Sequence, residues 1–304
     1  MTEWRWSSLP KHWNRFFFEE ADLSICGLIR IGFAALMLIN VLMWAPDLER
    51  WFGESGAINH EASRAVIDPD SLSLFMWLPR TDAALWLAYS MLIFHTVALL
   101  LGFLTRAQAI GVFVWFTSFQ HRNMLIFDGE DYLFRLLAFL IIFLPAGHYL
   151  SIDQWWRRKR QLPALPHIGP VWSLRLVQCQ VTMVYLSSAW EKLRSPDWID
   201  GTALYYVSRL DDTFGRFPLP SYLFESLVVM TLLTWAVLAA ELLIPLGLWF
   251  QESRRFALAI AIGLHLAIDY SMNLFLFQPL MIVSLLAFVR WQPHHQTIQT
   301  PNKQ

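Results

Sequence analysis

Several ionisable residues stand in surroundings that penalise charge. Arg30, His95, Arg135, Glu241, His265 and Asp269 interrupt or border long apolar runs, and Glu191-Lys192 closes another. Each charge at a bilayer centre costs about 3 kcal/mol, so each is a site hypothesis by default. Arg30 and Glu241 could hold two helices together as an ion pair. His95 suits an interhelical hydrogen bond better than ligation. His265 and Asp269 share a helix face at a spacing of four, and zinc there would need a third ligand. No HExxH or related spacing accompanies them, so no metal is expected. Glu191 and Lys192, taken alone, read as a solvated boundary at a helix end.

The elements that would position these groups are apolar helices. A span needs about 20 mostly apolar residues. The candidate spans are Leu23–Trp44, Ala83–Leu104, Gln108–Phe119, Tyr132–Ala146, Val171–Trp190, Leu223–Phe250, Phe256–Ile268 and Leu274–Val289. The sequence therefore predicts an all-α, polytopic transmembrane bundle of about 8 spans over residues 23–290. An aromatic and basic interfacial segment precedes it at 1–22, and a disordered cytoplasmic tail follows at 291–304. The N-terminus has no signal-peptide pattern, so it is expected to be retained. Two longer loops, Ala45–Asp82 and Glu191–Tyr222, fall on one side, the first with a short surface helix at Asn59–Ile67. The other side collects Arg5, Lys11, Arg15, Arg106, Arg157-Arg158-Lys159-Arg160, Arg254, Arg255, Arg290 and Lys303. This bias places both termini in the cytoplasm of a plasma (inner) membrane and the two loops outside.

Composition agrees. Of 304 residues, 56% are hydrophobic and 15% charged, with 16 Trp and 23 Phe, and mean hydropathy is +0.40. A soluble domain averages about 25% charged residues, and it could not cover so much apolar surface. The bilayer is thus the first partner. The net charge of −1 argues against nucleic acid. Cys26 and Cys179 both lie in apolar stretches and read as buried thiols.

The segment Tyr185–Tyr206, YLSSAWEKLRSPDWIDGTALYY, carries a specific pattern: Lys192-Leu193, three residues, Asp197-Trp198, two residues, Gly201. With GFLTRAQAI at Gly102–Ile110, the run His121–Asp153, and a Glu241 helix followed by a His265 helix, it resembles the horizontally transferred transmembrane (HTTM) domain family. That family includes the membrane core of vitamin K-dependent gamma-glutamyl carboxylases, and the resemblance covers nearly the whole chain. It implies Lys192 as the catalytic base and a vitamin K-like quinol as the co-reactant. Desolvation at an apolar site would disfavour the ammonium and make such a lysine a usable base, whereas adjacent Glu191 would oppose this if it faced Lys192. Glu130, Asp131, Arg135, Glu191, Glu241 and His265 are then the candidate polar helpers, and Asp197, Trp198 and Gly201 are structural. Aligned on Tyr132-Leu133, Glu130 stands where the carboxylases have a histidine. It cannot act as a neutral imidazole, but when protonated it can donate a hydrogen bond. The chain is expected to lack the large lumenal region that the animal carboxylases carry after the membrane domain.

Two readings follow. One is a quinol-dependent membrane enzyme acting on an outer-face peptide or lipid. The other is a non-catalytic membrane partner in maturation or export of a secreted peptide. A transporter would predict repeats and broken helices, and no repeat stands out.

Overall fold

The computed structural model of the chain describes residues 9–66, 71, 73–210, 213–218 and 224–290. The outer parts of the two terminal segments, Ile67 and the expected sixth-span start at Leu223 lie outside them. Eight helices run alternately between two ends of a bundle: α2 (Ile25–Met43), α5 (Asp82–Leu101), α6 (Thr105–Arg122), α7 (Gly129–Ile141), α9 (Trp172–Arg194), α12 (Leu227–Trp249), α13 (Arg254–Ser271) and α14 (Phe277–Leu285). Between and before them lie α1 (Leu9–Phe18), α3 (Leu48–Phe52), α4 (His60–Val66), α8 (Ile152–Lys159), α10 (Pro196–Ile199) and α11 (Ala203–Val207). The expected surface helix at 59–67 is α4.

The eight apolar segments thus correspond to eight helices, but among the described residues only three stretches are long and apolar enough to cross a membrane: Ile25–Phe52, Asp82–Leu101 and Leu227–Trp249. The test supports three of the expected spans and not the count of about 8. Helix α7 has 13 residues and α14 has 9, while polar residues dilute α6 and α9. Helix α12 lies at the rim, with Val228, Leu243 and Leu246 at least 59% exposed. A helix that apolar on its outward face needs an apolar solvent.

Local chemistry sets the helix ends. Thr81 Oγ1 accepts from Ala84 N at 3.3 Å and Ser226 Oγ from Val229 N at 3.4 Å. Asp128 and Asp131 make a reciprocal capping box at the start of α7. A remote carboxylate begins α6: Asp153 accepts from the backbone N–H of Leu104 (2.7 Å) and Thr105 (2.9 Å). Gly102 ends α5 in the left-handed region at φ +70°, and a Cβ there would meet Arg30 Nη1 at 2.3 Å.

At the basic end, α1 and α8 flank a short antiparallel pair, β1 (Glu20–Asp22) and β2 (Ile168–Pro170). At the opposite, loop end, Arg122 gathers the first long loop. It is buried and donates to the carbonyls of Ile58 (2.9 Å) and Gly53 (3.0 Å), while its own carbonyl accepts from Ser63 Oγ at 2.7 Å. An aromatic core of Trp44, Phe52, Phe116 and Phe119 packs beneath.

Candidate functional site

Helix α9 is not amphipathic in the usual sense; one narrow stripe of it is polar. Gln178, Thr182, Tyr185, Ser188 and Lys192 recur at spacings of four, three, three and four, which align on one helix face. Each meets the segment after residue 226. Gln178 Nε2 donates to the Ala287 carbonyl at 2.7 Å. Thr182 Oγ1 accepts from Trp249 Nε1 at 3.0 Å. The Tyr185 hydroxyl lies 2.6 Å from His265 Nε2, and His265 Nδ1 lies 2.5 Å from Gln278 Oε1.

The stripe ends in a charged cluster. Lys192 Nζ donates to Glu241 Oε1 at 2.9 Å and to Ser188 Oγ at 2.6 Å, and Ser188 Oγ donates to the same carboxylate oxygen at 3.2 Å. The two charged side chains are 19% and 9% exposed. The Trp198 ring stacks against the ammonium at 4.9 Å. Glu241 Oε2 is buried and has no hydrogen-bond donor among the described residues. A carboxylate oxygen in that position is an acceptor for a ligand O–H.

The Asp-Trp-x2-Gly segment builds the lid of this cluster. Pro196 starts α10, the Asp197 carbonyl accepts from Thr202 N at 2.8 Å, and the turn places the Trp198 ring over Lys192. Gly201 takes φ +77°, and a Cβ there would meet Thr231 Cγ2 at 2.5 Å, so the segment lies directly on α12. Asp197 itself is exposed.

A family profile, the HTTM domain, matches residues 18–292. The chain belongs to the HTTM domain family. Sporulation-delaying protein SdpB of Bacillus subtilis (strain 168) is 28% identical over 210 residues, 66% of this chain and 62% of SdpB. The uncharacterized protein YitO of the same organism is 24% identical over 202 residues, 64% of this chain and 63% of YitO. The chain thus spans less than two thirds of the length of either relative. No solved structure matches it.

The other residues singled out from the sequence stand outside the Lys192 cluster, Glu241 excepted. Glu191 points into the open, away from the cluster; the carboxylate facing Lys192 is Glu241. Arg30 is therefore not the partner of Glu241. Its guanidinium donates to the carbonyls of Ala146 (2.9 Å) and Leu150 (2.5 Å) at the basic end. His265 and Asp269 do not act together. Both His265 ring nitrogens are engaged, and Asp269 Oδ1 accepts from Arg216 at 2.6 Å. Among the described residues, no three His, Cys, Asp or Glu converge as for a metal.

Glu130 and Asp131 lie in the first turn of α7, ahead of the apolar run that begins at Tyr132. Glu130 Oε2 accepts from Leu276 N at 2.7 Å, just before α14, so it braces the start of the helix that carries Gln278. Burial raises the Glu130 carboxyl to about 7, against the pull of its backbone donors. Asp131 is reached by Asn40 Nδ2 at 3.4 Å. Arg135 sits over the Tyr132 ring at 5.1 Å and 3.5 Å from His121, outside the Lys192 cluster. His95 Nδ1 bonds Gln108 Oε1 at 2.7 Å, joining α5 to α6 as expected. The sequence reading missed Tyr185, Ser188 and Gln278, although the three-and-four spacing of polar residues in α9 was a signal for the first two.

Proposed function

We propose that this HTTM protein is a membrane enzyme that uses Lys192 as a base on a hydroxylated apolar compound of the quinol class, acting on a peptide or lipid at the loop end. The observation that carries the proposal is the convergence of Lys192 and Ser188 on Glu241 Oε1, beside a buried Oε2 that has no donor among the described residues. The residues fit such a ligand: Glu241 Oε2 can take the ligand hydroxyl, Trp198 offers an aromatic face, and Lys192 stands beside both. A quinol would supply a weakly acidic hydroxyl and reducing power. The Lys192 ammonium first passes a proton to Glu241 within the pair, and the freed amine then accepts the proton of that hydroxyl at Nζ, leaving the ligand anion beside the ammonium. Ser188 keeps the amine in place. Tyr185, held by His265 and Gln278, fixes the α9 face one turn further in. Glu130 is a positioning residue that steadies the α13–α14 loop. The proposal places the basic end, and both termini, in the cytoplasm of the plasma membrane.

Wild-type protein, Lys192→Ala and Lys192→Arg, each checked for insertion and melting, test this in an oxygen-dependent quinol epoxidation assay. Turnover in the wild type that both variants lose supports it. Folded wild-type protein that turns over no quinol overturns it.

A second reading has its own support. Exposed apolar groups crowd the loop end, with Ile199, Tyr206 and Leu210 at least 49% exposed. Such a surface suits a secreted peptide bound without chemistry. A peptide retained equally by wild type and Lys192→Ala, with no quinol turnover, favours this reading.

A further inference from the structure

At the basic end, far from Lys192, a cavity of about 350 Å³ opens between the start of α9, β1 and the residues after α14. One wall is cationic, formed by Arg175, Arg254 and Arg290. The three guanidinium groups are close enough for Arg290 to repel both others. Arg175 is pinned, with Nε donating to the Phe16 carbonyl at 3.1 Å and Nη1 to Gln178 Oε1 at 2.8 Å. Arg254 Nε and Nη2 reach the carbonyls of Leu248 and Trp249. That leaves Arg175 Nη2, Arg254 Nη1 and the whole Arg290 guanidinium without hydrogen-bond partners among the described residues.

Another wall, formed by β1 and the residue before it, is anionic. Glu20 and Asp22 lie two apart on β1, and Glu19 precedes them. Asp22 Oδ1 already accepts from Ser24 N at 2.8 Å. A simple anion would be drawn to one wall and repelled by the other. A phosphate with a nearby free ammonium satisfies both, since the forked guanidinium groups match phosphate oxygens and the carboxylates match N–H donors.

A second, apolar groove adjoins this cavity and shares Arg175 and Glu19 with it. Trp13, Phe16 and Phe17 of α1 line it. Phe16 stacks on Trp249 at 5.5 Å, with Arg175 over its ring at 4.7 Å. A charged chamber opening directly into an aromatic groove has the polarity profile of a lipid, head group first and chain second.

We infer that the basic end holds one phospholipid of the phosphoethanolamine type, its phosphate on Arg175, Arg254 and Arg290, its ammonium toward Glu20 and Asp22, and an acyl chain along α1. The inference is independent of the role of Lys192. Full-length protein reconstituted in equal parts of phosphatidylethanolamine and phosphatidylglycerol, then released for native mass spectrometry, tests it. Wild type should retain one phosphatidylethanolamine. Arg290→Gln, a change at an exposed side chain, should retain about tenfold less at unchanged melting, the loss expected for one charge-assisted contact. Glu20→Gln should lose the preference over phosphatidylglycerol. Soluble phosphoethanolamine, lacking the chain, should fail to displace the lipid. Preferential retention of phosphatidylglycerol by the wild type, equal retention by Arg290→Gln, an unchanged preference in Glu20→Gln, or displacement by soluble phosphoethanolamine would each overturn it.

Discussion

Lys192 Nζ stands 2.9 Å from Glu241 Oε1 across a sequence separation of 49 residues. Two charges that each oppose insertion therefore enter the bundle as a neutral pair. The pair, with Ser188, closes the α9–α12 contact at the loop end, and it is the group of residues best arranged for proton transfer.

Breaking that pair from one side should be costly. Glu241→Gln leaves the Lys192 ammonium facing a neutral amide, and loss of one partner of a buried pair is worth roughly 3–5 kcal/mol. Lys192→Met combined with Glu241→Leu should recover most of that stability, because no charge is then stranded. Thermal unfolding of the two singles and the double in detergent gives the coupling directly. Additive losses would mean that the two side chains are energetically independent.

Tyr185→Phe removes one hydroxyl and leaves His265 Nε2 buried without its partner. A cost of about 1–3 kcal/mol is expected. If the Tyr185–His265–Gln278 chain also orients the base, quinol turnover should fall by about 10²-fold in protein that is still folded. Turnover equal to wild type, with lowered melting, would confine the chain to a structural role.

Glu130 makes stability depend on pH. Its folded carboxyl titrates near 7 against the usual 4.5. Between those values the folded state keeps a proton that the unfolded state releases, so stability is full below about 4.5, falls as pH rises toward 7 and is level above. Glu130→Gln keeps a carbonyl oxygen for Leu276 N and should reduce this slope, the remainder coming from Asp131, whose carboxyl burial raises to about 6. Melting temperatures of both proteins from pH 4 to 8 decide the matter, and parallel curves would remove Glu130 as the cause.

Gly201→Ala should destabilise by roughly 1–3 kcal/mol, since the positive φ strains any other residue and the added methyl meets Thr231. Because the turn carries Trp198, the variant should also lower turnover. A variant as stable and active as wild type would show that α10 can lift off α12 freely.

The eight apolar segments were legible because burial in lipid rewards bulk hydrophobicity, whereas the helix starts set by Thr81, Asp128 and Ser226 differ by a few residues from the expected Ala83, Tyr132 and Leu223. The number of true spans was not, because α6, α7, α9, α13 and α14 fall short in length or hydropathy and rely on neighbours for cover. Lys192 was found through the Asp197-Trp198-Gly201 pattern. Its partner was not legible: Glu191 is adjacent in sequence yet turned about 100° away on the helix, while Glu241 becomes a neighbour only when α9 and α12 pack. The pairing of Arg30 with Glu241 that the sequence allowed is not made, because backbone carbonyls hold Arg30, and a sequence gives no sign of which carbonyls a fold leaves free. The basic-end cavity was invisible for the same reason: Arg175, Arg254 and Arg290 belong to three separate segments.

Arg30 also sets a timetable for assembly. Its acceptors, the carbonyls of Ala146 and Leu150, lie 116 and 120 residues further along the chain. At a synthesis rate of about 5–20 residues per second, the ribosome reaches them on the order of ten seconds after Arg30. Throughout that interval the first helix carries a guanidinium with no native partner, which favours keeping it hydrated or beside the insertion machinery. Release of α2 into lipid is thereby tied to arrival of the C-terminal end of α7, so that one buried arginine makes the insertion of the first helix wait for the fourth.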